Sequence, residues 1–422
     1  MDFIAELEWR NLLHDKTPGV EERLKKGPTK AYIGFDPTAP SLTIGNYVQV
    51  MSLRRFQLAG HTPVILMGGA TGRIGDPSGK DKERDLKTTE ELDKNLFFQQ
   101  KQMEKFFDFG KSAQIVNNYD FYKEMNVLDF LRDVGKTLTV NYMMSKDSVK
   151  NRLDSGLSFT EFSYQLLQAY DFQVLYEKHG CEIQMGGSDQ WGNITSGTEF
   201  IRRNTGGKAY AVTTPLLTKS DGKKFGKSEK GNIWLDPNLT SPYEFFQFWI
   251  NADDADLPNY FRTFSMKSKV EIEGLEEEYN SNPNELKRIL AEELTTEVHS
   301  SEAFQSAKSV SNLLFNRKAG REDLLRMSQE SLDLVSSELE TVTIEKNVIE
   351  NNSNLIDLLT DHTGFLSSKG EARRAIQNNA ISINKNKISN LEAVITTDSL
   401  LHGKYIMVEN GKKNKFIIKL KT

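Results

Sequence analysis

Three short runs of β-branched and apolar residues, at 32–35, 63–67 and 114–117, punctuate the first part of the chain. Between them lie stretches of helical length and patterning at 46–59 and 90–107. Each run is too short to be a helix and lacks the in/out alternation of a strand with one wet face. Such strands are buried on both faces, and strand–helix alternation predicts a mostly parallel sheet with crossover helices. Ligands of such sheets sit beyond the carboxyl ends of the strands. The turns at Asp36-Pro37-Thr38 and Gly68-Gly69 fall there.

The pattern changes near Pro237. Helix-start signals at Pro242-Tyr243-Glu244 and Pro283-Asn284-Glu285, followed by helical stretches at 285–299 and 301–316, predict a helical domain. Residues 336–354 show little periodicity and read as a linker. Beyond them a small α/β unit is expected, with a helix at 372–377 and strands at 381–383, 404–408 and 415–420. At 422 residues the chain has room for two or three domains.

No apolar run approaches membrane-span length, and the acidic, amphipathic N-terminus lacks the basic start and apolar centre of a signal peptide. Cys181 is the one cysteine, which excludes an intrachain disulfide and a thiolate metal cage, and a reducing cytoplasm is the natural location. The six histidines are widely spaced and form no metal-ligand pattern. Residues 353–422 hold 11 Lys/Arg against 6 Asp/Glu, so the rest of the chain carries −10 within an overall charge of −5. A basic tail on an acidic body fits a polyanion contact or, equally, a solvated basic surface.

Five segments carry candidate chemistry. In Ser41-Leu42-Thr43-Ile44-Gly45-Asn46, a turn after a strand opens a helix; Gly45 permits close approach of a ligand, and Thr43 and Asn46 offer neutral donors. Taken alone, this segment reads first as a capped helix. The stretch from Gly68 to Gly79 has five glycines in twelve residues and carries Asp76, with Lys80 and Arg84 close behind. That density points to a binding loop. Tyr164, Gln168 and Asp171 fall at i, i+4 and i+7 and share one helix face that could line a polar pocket. Gln184-Met185-Gly186-Gly187-Ser188-Asp189-Gln190 reads as a strand end, a glycine turn and a helix start. Lys223-Lys224-Phe225-Gly226-Lys227-Ser228 is basic and glycine-hinged, suited to clamping phosphates, although such loops alone are usually just solvated.

The order and content of these five segments resemble the bacterial-type tyrosyl-tRNA synthetases, class I aminoacyl-tRNA synthetases, across essentially the whole chain. Lys224-Phe225-Gly226-Lys227-Ser228 matches the family's KMSKS-type loop, and Ser368-Lys369-Gly370-Glu371-Ala372-Arg373-Arg374 through Asn384 resembles an S4-type RNA-binding module. The resemblance implies a Rossmann-like α/β catalytic domain over 1–236, a helical anticodon-binding domain over 237–345 and a small α+β S4-like domain over 353–422. It implies activation of L-tyrosine with ATP and Mg²⁺, transfer to tRNA(Tyr), a homodimer in the cytoplasm, and no protein-ligated metal.

By that resemblance the substrate phenol lies between Tyr32 and Asp171. Asp76, Tyr164 and Gln168 hold its ammonium group, with Gln184 and Gln190 around its backbone and carboxylate. ATP meets Gly34, Asp36, Thr38, Gly45, Gly187 and Asp189. Lys80 and Arg84 flank the pyrophosphate, and Lys224, Lys227 and Ser228 close over it. Lys369, Arg373 and Arg374 face tRNA. The family's HIGH signature reads Thr43-Ile44-Gly45-Asn46 here, so both histidines are replaced. Attack of a carboxylate on the α-phosphate moves no proton, so neutral hydrogen-bond donors serve that step. A tryptophanyl enzyme of the same class would have no reason for paired phenol partners at Tyr32 and Asp171. A non-catalytic RNA-binding relative would have no reason to keep the Lys224–Ser228 loop.

Overall fold

The computed structural model describes residues 1–422 except 79–86, 151–155, 223–224, 229–230, 317–318, 352, 412–413 and 422, and except the side chains at 147, 148 and 228. The chain falls into two compact units, Met1–Thr240 with Asn251–Leu290, and Ser241–Ile250 with Ala291–Thr422.

The first unit is built on a six-stranded sheet of β1 (Asp15–Lys16), β2 (Lys30–Phe35), β3 (Thr62–Met67), β4 (Gln114–Asn117), β5 (Cys181–Gly187) and β6 (Tyr210–Thr214), in the spatial order β1-β6-β5-β2-β3-β4. The neighbours from β6 through β4 pair in parallel, and β1 adds an antiparallel edge. β2, β3, β5 and β6 are buried almost throughout, as expected of parallel strands covered on both faces. The crossovers include helices α1 (Ile44–Leu58), α2 (Thr89–Met103), the short α3 (Tyr119–Tyr122) and α4 (Phe159–His179); α5 (Trp191–Thr205) follows β5. Ser158 caps α4 by accepting from the Glu161 N–H, and Gly180, at φ 63°, ends it in the left-handed conformation that glycine tolerates best. Strand order reverses between β2 and β5. The chain runs outward from β2 through β3 to β4, then returns to build β5 and β6 on the other side. That reversal opens a crevice at the strand carboxyl ends.

Two small strands, β7 (Lys227–Ser228) and β8 (Gly231–Asn232), form a hairpin in the same unit. Trp234 forms a bridge with Thr43, and the Ile44 N–H donates to the Ile233 carbonyl at 2.9 Å. The hairpin is therefore tied to the start of α1.

The second unit contains helices Pro242–Ile250 and Ser301–Phe315, close to the expected starts. Its five-stranded sheet comprises β9 (Glu340–Ile344), β11 (Ile381–Ile383), β12 (Asn386–Lys387), β14 (Tyr405–Asn410) and β15 (Asn414–Leu420), ordered β12-β11-β14-β15-β9; β10 (Ser353–Asn354) and β13 (Val394–Ile395) pair separately. The linker expected at 336–354 is not one. Thr341, Val342, Thr343 and Ile344 form a half-buried strand parallel to β15, and a helix occupies Lys346–Glu350. Five residues paired to a strand more than seventy positions away carry no local periodicity to reveal them. Leu355, Leu358, Leu359, Ala372 and Ile376 pack on Ile381, Ile406 and Ile418 to form this unit's core.

Candidate active site

The crevice between β2 and β5 is lined from five elements. Tyr32 stands on β2 with its ring edge-on to Phe172 of α4, at 5.2 Å between centroids, and is 1% exposed. Its hydroxyl has no hydrogen-bond partner among the described residues. Burial and the charge of Asp171 push that phenol well above its ordinary pKa, so it is a donor at any physiological pH. Asp171, on α4 and also 1% exposed, accepts from Asn118 Nδ2 at 2.9 Å and contacts the Tyr122 hydroxyl at 2.7 Å. Burial pushes its carboxyl up to about 7 despite those two bonds, which lower it.

The rest of the α4 stripe also faces inward. Tyr164 donates its hydroxyl proton to Asp36 Oδ2 at 2.9 Å, and burial holds this phenol protonated too. Among the described residues the buried Gln168 Oε1 has no partner, nor has that of Gln184 on β5. Asp36 also accepts from Thr71 Oγ1 at 2.7 Å. Asp76 accepts from the Ser78 N–H and from Gln190 Nε2, at 2.9 and 2.6 Å. Buried amide oxygens and a phenol without partners are costly, about 1–3 kcal/mol each. They sit on the elements that border the crevice: Tyr32 on β2, Gln184 beside it in register on β5, and Gln168 on α4.

The side of the crevice formed by the end of β2 and the start of α1 is more open. Gly34, Thr38, Gly45 and Asn46 are exposed, and nothing lies within 4 Å of a Cβ placed on Gly34. A Cβ on Gly187 would meet Asp189 Oδ1 at 2.6 Å, so the glycine lets that carboxylate fold against the strand end. Thr43 and Asn46 form a reciprocal capping box. Thr43 Oγ1 accepts from the Asn46 N–H at 3.2 Å, while Asn46 Oδ1 accepts from the Thr43 N–H at 3.0 Å and from its hydroxyl at 2.8 Å. The capped-helix reading of this segment therefore holds. It leaves the Asn46 amide oxygen engaged and its Nδ2 without a bond among the described residues.

Gly226, at φ +80°, reaches this helix start directly: a Cβ there would lie 2.8 Å from Ile44 Cγ2 and 3.5 Å from the Gly45 nitrogen. Lys227 is exposed on β7, next to Ser228. Lys80, Arg84 and Lys224 lie outside the described residues. In the second unit Arg373 and Arg374 are exposed on the Lys369–Gln377 helix, whereas the Lys369 ammonium is held by Asp357 and Asp361 at 2.7 and 2.9 Å.

Sequence reasoning did not select Asn118, Tyr122 or Thr71. Asn118 donates to Thr71 Oγ1 and to Asp171, and accepts from the Ala70 N–H at 2.7 Å. It thereby ties the glycine loop to the α4 stripe. The segment Asn117-Asn118-Tyr119-Asp120-Phe121-Tyr122 reads locally as a strand end and a turn. Only the placement of β4 beside β3 brings it to the crevice.

A tyrosine–tRNA ligase of Cytophaga hutchinsonii is 52% identical to this chain over 425 residues, and one of Bacteroides fragilis is 50% identical over 428, each match covering 99% of both proteins. Residues 24–316 match the family model of tRNA synthetases class I (W and Y), and residues 333–418 that of the tyrosine–tRNA ligase SYY-like C-terminal domain. The chain belongs to the tyrosine–tRNA ligases. Among solved structures, a C-terminally truncated mitochondrial tyrosyl-tRNA synthetase of Aspergillus nidulans is 30% identical, with a TM-score of 0.67, covering 74% of this chain and 94% of that one. The Archaeoglobus fulgidus tyrosyl-tRNA synthetase complexed with L-tyrosine is 21% identical with a TM-score of 0.54, and shares the fold. This tyrosine–tRNA ligase is an ATP-using aminoacyl-tRNA synthetase. No helix among its described residues is long and apolar enough to cross a membrane.

Proposed function

We propose that the crevice makes tyrosyl-adenylate from L-tyrosine and ATP, and that the second unit presents tRNA(Tyr) for transfer. The observation that carries this reading is the buried, unpartnered Tyr32 hydroxyl beside the Asp171 carboxylate. A substrate phenol fits between them, accepting from Tyr32 and donating to Asp171. Phenylalanine would leave both unsatisfied, at about 1–3 kcal/mol for each neutral group and more for a charged one. Asp76, Tyr164 and Gln168 then face the substrate ammonium, and Gln184 and Gln190 its backbone and carboxylate.

In the first step a tyrosine carboxylate oxygen bonds to the α-phosphorus as the bond to the bridging oxygen breaks, and pyrophosphate leaves with that electron pair. No proton moves, so the protein orients the reactants and offsets charge on the phosphate oxygens. Gly34, Asp36, Thr38, Gly45, Gly187 and Asp189 line the place for ATP, which arrives with Mg²⁺. The Asn46 Nδ2–H is the neutral donor of the signature, and Thr43 acts chiefly by holding the Asn46 amide. Lys224, Lys227 and Ser228, with Lys80 and Arg84, balance the charge of the departing pyrophosphate. In the second step a hydroxyl oxygen of the 3′-terminal adenosine of tRNA bonds to the acyl carbon, the bond from that carbon to the phosphate oxygen breaks, AMP leaves with the electron pair, and the hydroxyl proton is released.

We assign adenylate formation to residues 1–236, anticodon contact to the helices within 237–345, and further RNA contact to 353–422, where Arg373 and Arg374 are free to meet phosphates. We further place the enzyme in the cytoplasm as a homodimer. Val127, Leu128, Val140 and Phe159 are each more than half exposed, large apolar side chains of the kind that a second copy would cover. The test is tyrosine-dependent exchange of labelled pyrophosphate into ATP. Exchange that tyrosine supports and tryptophan does not is the expected result; exchange driven by tryptophan, or none, would overturn the reading.

A further inference from the structure

The Tyr122 hydroxyl lies 2.7 Å from Asp171 Oδ1 and 2.9 Å from the Leu167 carbonyl oxygen. A phenol has one proton, and both neighbours are acceptors when Asp171 is ionised. The shorter contact then takes the proton. When Asp171 carries a proton on Oδ1, the carboxyl donates to the Tyr122 oxygen, and the Tyr122 proton turns to Leu167. One hydroxyl thus satisfies the carboxyl in either state. Asn118, at the amino end of the same four-residue helix α3, holds the other oxygen, Oδ2. Two contacts from one short helix fix both oxygens of the residue that faces the substrate phenol.

We propose that Tyr122 is a positioning and specificity-determining residue of tyrosine activation: its hydroxyl orients the Asp171 carboxylate and favours the ionised, proton-accepting form that a substrate phenol requires. This rests on the proposed placement of the substrate phenol between Tyr32 and Asp171. The hydrogen bond from Tyr122 opposes the effect of burial on Asp171, and removing it makes the carboxyl a stronger base. The other titratable groups around Asp171 are the phenols of Tyr32, Tyr164 and Tyr170 and the carboxylate of Asp36. The phenols remain protonated across neutral pH, and Asp36 is held by Thr71 and Tyr164.

The test is the full-length Tyr122→Phe enzyme in tyrosine-dependent pyrophosphate exchange between pH 6 and 9, beside Asp171→Asn. Phenylalanine at 122 keeps the ring contacts to Tyr170 and Phe130, at 5.7 and 6.5 Å. The KM for tyrosine should rise about tenfold at pH 7 with kcat nearly unchanged, the loss of one hydrogen bond to a charged group. The acid limb of tyrosine affinity should move to higher pH, so that the defect shrinks by pH 9. Affinity for phenylalanine, which offers Asp171 no donor and leaves its charge unpaired, should not fall. A wild-type KM and acid limb in Tyr122→Phe, with Asp171→Asn impaired, would overturn the role of Tyr122 alone. A defect of constant size from pH 6 to 9 would reduce Tyr122 to packing and also overturn it. Wild-type behaviour in both variants would overturn the pocket itself.

Discussion

Asp171→Asn should make the protein more stable while making it a poorer enzyme, and the stability gain should depend on pH in a defined way. The carboxyl sits at about 7 in the fold against an ordinary 3.8, chiefly because burial opposes its charge. The folded state therefore holds this proton more tightly than the unfolded chain does. Below about pH 4 both states are protonated and there is no penalty. Between about pH 4 and 7 the unfolded chain loses the proton first, so stability falls as pH rises. Above 7 the full penalty applies, and three decades of proton affinity at ~1.4 kcal/mol each set its ceiling at roughly 4 kcal/mol. Asparagine resembles the protonated carboxyl: its oxygen accepts from Asn118, and its NH₂ can donate to the Tyr122 oxygen while Tyr122 turns to Leu167. The melting temperature of the variant should match the wild type below about pH 4, exceed it increasingly from pH 4 to 7, and lead by several degrees at pH 8.5, followed by scanning calorimetry. A difference that stays flat with pH, or a wild type more stable at pH 8.5, would refute the claim that a charged carboxylate is stored in this pocket.

Four further outcomes are expected. Asn46→Ala should lower kcat for adenylate formation on the order of 10²–10³-fold with tyrosine KM little changed, and should also lose about 1 kcal/mol of stability with the capping box; Asn46→Asp, which retains the capping acceptor but not the donor, should keep the stability and lose the rate. Gly226→Ala forces a left-handed backbone onto a side chain and drives a methyl group at Ile44, so single-turnover adenylate formation should slow while equilibrium dialysis shows normal tyrosine binding. A chain ending at Asn316 should retain pyrophosphate exchange and lose tRNA charging. In the full chain, RNA affinity should fall steeply with salt in filter-binding assays, with a shallower slope for Arg373→Ala combined with Arg374→Ala.

What could be read from the sequence was what repeats locally. Doubly buried strands announce themselves as apolar runs, and the inward stripe of Tyr164, Gln168 and Asp171 follows from helical spacing alone. Thr43 and Asn46 were legible twice over, as an N-cap and as the altered family signature. Contacts set by sheet order were not legible. Asn118 reaches Asp171 because β4 packs beside β3 and the glycine loop leaves the end of β3, and β9 is a strand only because β15 pairs with it. Neither fact is written within ten residues of the positions concerned.

The two readings of Thr43-Ile44-Gly45-Asn46 need not compete. An imidazole at either position could aim a ring N–H at a phosphate without help from its neighbour. A threonine is too short for that reach, and an unrestrained asparagine amide can present oxygen or nitrogen with similar ease. The capping box removes the ambiguity. It binds the Asn46 oxygen to the Thr43 N–H and hydroxyl, which leaves the NH₂ as the end turned away from the cap. On the proposed mechanism, Thr43 would thereby contribute to the donor without touching the phosphate. Its loss should be felt as misorientation of Asn46: Thr43→Ala should reduce kcat less than Asn46→Ala does, Thr43→Ser should restore it, and the double alanine variant should be no slower than Asn46→Ala alone. Additive losses in that cycle would mean that Thr43 meets the nucleotide itself and that the cap is incidental.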